Sequence, residues 1–253
     1  MEEQRICRYY RNDDACETKL VCFAPAGAGA STFRTWARGL PSDVGVLAVR
    51  YPGREDRLGD PIPPRLEALA DEIADGLGGL TAHRLVLFGH SMGATVAHEV
   101  ALRFQERGRP PAALCVSGRQ PTHALADRKL LSNTEEEIIA QIVSFDPSRA
   151  AVFADTALRE FLLPAICADY RLVDDFAGGD RPPLDCPIYG YTGDADTEVT
   201  PEQMRRWAEL TRGSFRLRVL PGGHFYLRAE EAALLADLSN VLADIKSRTR
   251  TAS

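Results

Sequence analysis

Three features of this 253-residue chain predict an α/β fold built on a mostly parallel, doubly wound sheet. Short apolar runs rich in β-branched and aromatic residues alternate with segments of helical period. Several runs are apolar at consecutive positions, as in Leu85-Val86-Leu87-Phe88. Strands covered on both faces, which a parallel sheet requires, read this way. The hydrophobic share of 45% and the charged share of 26% are those of a chain able to fill one large core.

Along the chain, strands are expected at residues 6–10, 20–24, 44–49, 84–88, 113–117, 187–191 and 215–220. Helices are expected at 65–77, 92–107, 201–210 and 229–245. The third opens on Thr200, Pro201 and Gln203, which are an N-cap, a first-turn proline and a capping-box glutamine in the required order. The alternation stops between about Pro121 and Pro183. There Thr134 and Glu137 form a capping box ahead of Ile138, Ile139, Ile142 and Val143. Further on, Leu158, Phe161, Leu162, Ala165, Ile166, Tyr170 and Val173 recur at helical spacing, with Pro164 among them. Two amphipathic helices between two strands predict a helical cap, or lid, over residues 121–183, inserted in a single domain that spans 1–253. The alternative is a helical subdomain that only adds core. Residues 246–253 are expected to fray.

Composition narrows the function classes. Thirty basic against 36 acidic residues give a net charge of −6. Without a Lys/Arg block, such a chain has no basic face for phosphates, so nucleic acid is not an expected partner. No run approaches the ~18 apolar residues of a membrane helix. The opening Met-Glu-Glu-Gln-Arg has neither the basic nor the apolar region of a secretory signal, so a cytoplasmic location is expected. Six cysteines, Cys7, Cys16, Cys22, Cys115, Cys167 and Cys186, sit in apolar surroundings without a Cys-x-x-Cys pair. Reduced thiols and no metal site are expected.

The strongest local signal is Gly89-His90-Ser91-Met92-Gly93, between an expected strand and an expected helix. The pattern Gly-x-Ser-x-Gly alone arises by chance in roughly one chain in ten of this length, so its strand–turn–helix setting carries the inference. A serine on that turn is strained and exposed, and the glycines let neighbouring backbones approach. The Met92 N–H, backed by the helix dipole, would face an oxyanion formed on Ser91. A serine hydroxyl needs a base, and five histidines are available. His90 should turn into the sheet, His98 lies two turns along the helix, His83 sits in a loop and His123 opens the cap. His224, in Pro221-Gly222-Gly223-His224 after the last strand, is placed where a parallel sheet delivers functional residues. The acid should fall between serine and histidine in the chain. Thr192-Gly193-Asp194-Ala195-Asp196 offers two. A turn at Gly193 brings the third residue on to the histidine, which selects Asp196 and leaves Asp194 to cap the turn. The second oxyanion donor should come from Phe23-Ala24-Pro25-Ala26-Gly27-Ala28-Gly29. Pro25 has no N–H, so Ala26 or Gly27 supplies it. The loop fits neither phosphate-binding glycine pattern, and no cofactor is expected.

These residues resemble the stand-alone, type II thioesterases that accompany polyketide synthases and nonribosomal peptide synthetases, members of the α/β-hydrolase superfamily. The likeness rests on Phe23-Ala-Pro-Ala-Gly27, Tyr51-Pro-Gly-Arg-Glu-Asp-Arg57 and Gly89-His-Ser-Met-Gly93. It continues through Leu163-Pro164 with Ala168-Asp169-Tyr170, then Gly193-Asp-Ala-Asp196 and Gly222-Gly-His-Phe225. The first loop departs from the Phe-Pro-His-Ala-Gly-Gly common in that family; the backbone donor at Ala26 survives the loss of the histidine. The resemblance implies an editing enzyme that hydrolyses acyl groups from the phosphopantetheine arm of acyl or peptidyl carrier proteins. It implies Ser91, His224 and Asp196 as catalytic residues, Met92 and Ala26 as oxyanion donors, and Phe145, Phe161 and Tyr170 of the lid as substrate contacts. A monomer is expected. A general carboxylesterase or acyltransferase on the same residues is the alternative. Arg54 and Arg57 have two accounts: docking of an acidic carrier, or bracing of their own loop through Glu55 or Asp56.

Overall fold

In the computed structural model, which describes residues 2–11, 16–80, 82–121, 123 and 134–251, each expected strand forms. They are β1 (Cys7–Arg11), β2 (Thr18–Phe23), β3 (Val44–Val49), β4 (Arg84–His90), β5 (Ala113–Ser117), β6 (Ile188–Gly193) and β7 (Phe215–Leu220). They make a seven-stranded sheet in the order β1-β3-β2-β4-β5-β6-β7. Only the β1–β3 pairing is antiparallel. β2, β3, β5 and β6 are buried at every position, as strands covered on both faces must be. The edges are protected differently. β1 carries a register shift between Tyr9 and Arg11, and β7 alternates outward arginines, of which Arg216 pairs with Asp237.

The helices are α1 (Glu2–Ile6), α2 (Trp36–Gly39), α3 (Leu66–Gly76), α4 (Met92–Glu106), α5 (Glu135–Phe145), α6 (Ala150–Ala154), α7 (Thr156–Asp174), α8 (Pro201–Arg205), α9 (Tyr226–Ala229) and α10 (Glu231–Thr251). Two expectations change. The helix expected at 201–210 keeps its capping box at Thr200 and Gln203 but becomes 3-10 after Arg205. The last helix, expected at 229–245, begins at Glu231 and extends past 245. It runs to Thr251, tied by Lys246 to Asp43 at 2.7 Å, and only 252–253 of the expected frayed tail lie outside the described residues.

The chain moves from β2 to β3 on one side of the sheet, then crosses to β4 and proceeds to β7 on the other. The switch point therefore lies between β2 and β4, where connections leaving in opposite directions open a crevice. Over the same end of the sheet lie α5, α6 and α7. Ile138, Phe153, Leu163, Ile166 and Cys167 of these helices form a cluster separate from the main core. Residues 122 and 124–133 of the expected lid lie outside the described residues. All six cysteines are buried with free thiols. Among the described residues no helix is long and apolar enough to cross a membrane.

His98 of α4 is fully buried and packs edge-on to Trp207 at 5.2 Å. Burial, then the charges of Arg181 and His123, push its pKa down to about 3. The unfolded ring takes up a proton below pH ~6.5 while the folded ring stays neutral, so stability falls as pH drops through that range, by about 1.4 kcal/mol per unit from this residue. Urea titrations at pH 7.5 and 5.0 check this. The stability difference between wild type and His98→Leu should move by about 2 kcal/mol in the variant's favour at the lower pH. An unchanged difference would contradict a neutral buried ring.

Candidate active site

Ser91 ends β4 and precedes α4 with φ 52° and ψ −120°. Residues with a side chain seldom adopt this conformation. The glycines on either side explain how it is tolerated. A Cβ on Gly89 would lie 2.1 Å from the Gly93 carbonyl oxygen, and one on Gly93 would lie 2.1 Å from that of Phe23. The Ser91 N–H donates to the Ser117 carbonyl of β5 at 2.8 Å, which anchors the turn to the next strand. Met92 opens α4, so its N–H has no acceptor within the helix.

His224 reaches Ser91 from the loop after β7. Its Nε2 lies 3.0 Å from Ser91 Oγ, and its Nδ1 lies 3.0 and 3.2 Å from the two carboxylate oxygens of Asp196. An ionised carboxylate only accepts, so Nδ1 carries the proton and Nε2 offers its lone pair to the Ser91 hydroxyl. The Asp196 side chain is fully buried and also accepts the Glu198 N–H at 2.8 Å, which shapes its own turn. Asp194, expected to cap its own turn, instead reaches across to the histidine loop. It accepts the Gly222 N–H at 2.8 Å, tying the acid loop to the histidine loop.

The remaining histidines lie where their surroundings require. His83 is exposed, and His123 pairs with Glu209 at 2.7 Å. His90 is buried behind the site, its ring centroid 5.0 Å from that of His224. Its Nδ1 lies 2.9 Å from Ser117 Oγ, which in turn lies 2.6 Å from Tyr226 Oη. Burial, reinforced by His224, holds the His90 pKa well below the usual range. A neutral ring therefore backs His224 without competing for its proton.

In the loop after β2, the Gly27 N–H donates to Asp169 of α7 at 2.8 Å. Of the two donors the sequence allowed, this leaves Ala26 facing the cleft at Ser91. That cleft is lined by Ala26, Ser91, Met92, Phe145, Tyr170 and His224 among others and holds about 50 Å³. Phe145 lies with its ring 4.9 Å from that of His224. Phe161 is not brought to the cleft. It is 58% exposed and lines a neighbouring cavity of about 700 Å³ with Gly27, Arg54, Leu58 and Ile166. Gly27 and Ile166 pack closely in the wall of that cavity; a Cβ on Gly27 would lie 3.0 Å from Ile166 Cγ1.

Both arginines brace the fold, but not through the expected acids. Arg54 grips Asp169 with both terminal nitrogens, Nη2 at 2.7 Å, and donates to the Ala28 carbonyl at 3.2 Å. Burial opposes its charge, yet the Asp169 carboxylate more than offsets this and raises its pKa. Arg57 is 4% exposed and bonds Asp60, Glu72 and the Arg50 carbonyl. Glu55 instead caps the turn at Ala30 and Ser31 through their N–H groups, both at 3.0 Å. Asp56 pairs with Arg8 and Arg50. No local pattern linked Arg54 to Asp169, 115 residues away; the Asp169 motif had surfaced only through the family resemblance.

A nucleophile turn after β4, an acid after β6 and a histidine after β7 define an α/β-hydrolase. A family model described as a thioesterase domain matches residues 18–244, and the chain belongs to the thioesterase family, whose members cleave thioesters. It is 33% identical over 238 residues to a probable cadicidin biosynthesis thioesterase of Streptomyces griseus. That match covers 94% of this chain and 66% of the relative, so the chain spans just under two thirds of that protein's length. Among solved structures it is similar to the thioesterase RedJ from the prodiginine biosynthetic pathway in Streptomyces coelicolor. The TM-score is 0.83 at 37% identity, with 90% of this chain and 91% of that one covered. The type II thioesterase BorB from the borrelidin biosynthetic cluster gives 0.82 at 34% identity, covering 93% and 95%.

The packing around the turn can be tested with alanine at two glycines. Gly93→Ala would place a methyl group against the backbone of Phe23 and should cost about 3 kcal/mol or more. Gly59→Ala meets nothing within 4 Å and should melt with wild type. Equal melting temperatures for the two variants would contradict the close approach of α4 to β2.

Proposed function

We propose that this enzyme hydrolyses acyl thioesters borne on the phosphopantetheine arm of acyl or peptidyl carrier proteins, an editing role beside a polyketide synthase or nonribosomal peptide synthetase. The observation that carries it is the Ser91–His224–Asp196 alignment, two contacts of 3.0 Å in a buried cleft, within a chain similar to thioesterases of such biosynthetic pathways.

Ser91 Oγ attacks the thioester carbonyl carbon while His224 Nε2 takes its proton. The carbonyl electrons become an oxyanion that rests on the N–H groups of Met92 and Ala26. The oxyanion collapses, the C–S bond breaks, and the departing sulfur takes the proton from His224. A free thiol near pKa 8.5 leaves far more readily than an amine would, so acylation needs only modest assistance. Water then adds to the acyl-enzyme with His224 as base, and the carboxylic acid departs as Ser91 regains its proton. Asp196 holds the ring in the required tautomer and stabilises its cation in both halves. Phe145 and Tyr170 wall the acyl group.

The direct test incubates an acetyl- or propionyl-loaded carrier protein with the enzyme and follows both by intact-protein mass spectrometry. Wild type should release free phosphopantetheinyl carrier and Ser91→Ala should not. Activity on simple oxygen esters without carrier unloading would replace this reading with a general carboxylesterase. The two acids should also separate. Asp196→Asn should lower kcat by about 10³–10⁴-fold. Asp194→Ala should keep kcat within a few-fold and lose about 1–2 kcal/mol of stability with the Gly222 hydrogen bond. Equal losses of kcat would overturn the assignment of Asp196.

A further inference from the structure

We infer that Asp169, clamped by Arg54, is a positioning residue for the oxyanion donor at Ala26, and that it ties the placement of α7 to the reactivity of Ser91. The inference rests on the reading of Ser91 as nucleophile given above.

The loop after β2 makes a four-residue turn in which the Ala28 N–H donates to the Pro25 carbonyl at 3.1 Å. The Pro25 carbonyl and the Ala26 N–H belong to one peptide plane, so this bond sets the direction of the donor. The third residue of the turn, Gly27, has φ 72°, the left-handed value of a type II turn. Such a turn interconverts with type I by rotation of its central peptide, and glycine offers little resistance to either form. The central N–H is that of Gly27, and its acceptor is Asp169 at 2.8 Å. Asp169 thereby holds the turn in one form and anchors the loop that carries the Ala26 N–H.

Asp169 cannot drift. Its side chain is 2% exposed, and Arg54 holds both of its oxygens. Through Nη1, Arg54 also donates to the Ala28 carbonyl, so the turn is gripped on two sides by one buried pair. The Arg54 guanidinium lies 5.5 Å from the Tyr51 ring centroid, and Tyr51 Oη donates to the Ala24 carbonyl at 3.3 Å. The pair thus joins three segments that meet nowhere in the sequence: the donor loop, the segment after β3, and the lid helix. Movement of α7 carries Asp169 away from Gly27 and loosens the donor.

The test compares wild type, Asp169→Ala, Asp169→Asn and the double variant Arg54→Met/Asp169→Asn on a short acyl thioester. The inhibitor is a trifluoromethyl ketone analogue of that substrate. Ser91 Oγ adds to the ketone carbon, the serine proton passes to His224, and the carbonyl electrons become an oxyanion, so inhibitor affinity reports the donors. Loss of a whole oxyanion donor costs about 10²–10³-fold in kcat. A misaimed donor should cost less: Asp169→Ala should lower kcat about 10–100-fold, weaken the inhibitor in parallel, and leave KM within about 3-fold. Asp169→Asn keeps an acceptor for Gly27 and should recover part of the loss. Removing one partner of a buried pair strands a charge and endangers folding. The double variant strands none; it should melt near wild type yet keep a lowered kcat, because the Arg54 grip on Asp169 and on the Ala28 carbonyl is gone. Folded Asp169→Ala with unchanged kcat and inhibitor affinity would overturn the inference. So would a loss confined to KM, or a double variant that folds and turns over like wild type. Failure of the underlying reading looks different: wild type would be inactive, or Ser91→Ala would retain full activity.

Discussion

A serine with φ 52° and ψ −120° is held against a backbone preference of about 1–3 kcal/mol, and much of the molecule is arranged around keeping it there. The turn persists because Gly93 rests on the end of β2 and Gly89 rests on Gly93, approaches that a single methyl group would prevent. Its N–H is bound by β5, so neighbouring strands on both sides of β4 fix its place. The same contact sets the distance between the hydroxyl and the loop after β2. Nucleophile and oxyanion donors are therefore parts of one packed unit at the switch point of the sheet.

The polar groups around this unit are buried and divide its tasks. Asp196 faces the histidine while Asp194 holds the loop that carries it, so one acid orients the base and its neighbour positions the backbone. Behind them His90 is kept neutral by burial. A charged ring 5.0 Å from His224 would disfavour the imidazolium that each proton transfer creates. On the far side of the cleft, Arg54 and Asp169 supply a buried electrostatic link between the lid helix α7 and the loop after β3. The lid's own apolar cluster is small, so its position depends on a few contacts at its rim. The Asp146–Arg228 pair at 2.8 Å and the stacking of Phe145 on His224 are two others.

Much of this was legible from local pattern. Three strands, at 44–49, 113–117 and 215–220, have the boundaries expected of them, because β-branched apolar runs between turn residues leave little freedom. Ser91, His224 and Asp196 were found because each sits on a glycine-bearing turn at the end of a strand, and a parallel sheet gathers such turns at one end. Contacts set by tertiary packing escaped. The pairing of β1 against β3 depends on which edge remains open. The partners of Arg54 and Arg57 depend on helices folded over their loop, so neighbouring acids in the sequence misled. The outward placement of Phe161 follows from the rotation of α7, which helical spacing alone does not determine.

The central claim is that Ser91 carries the acyl group between two chemical steps. Rapid-quench mass spectrometry of the enzyme itself, with a short-chain acyl thioester in excess, tests this most directly. The account requires a transient adduct of one acyl mass that peptide mapping places on Ser91. It should form no later than the first equivalent of thiol and disappear as substrate is exhausted. Steady turnover of the wild-type enzyme during which no adduct forms, or an adduct mapped to another residue, would contradict it.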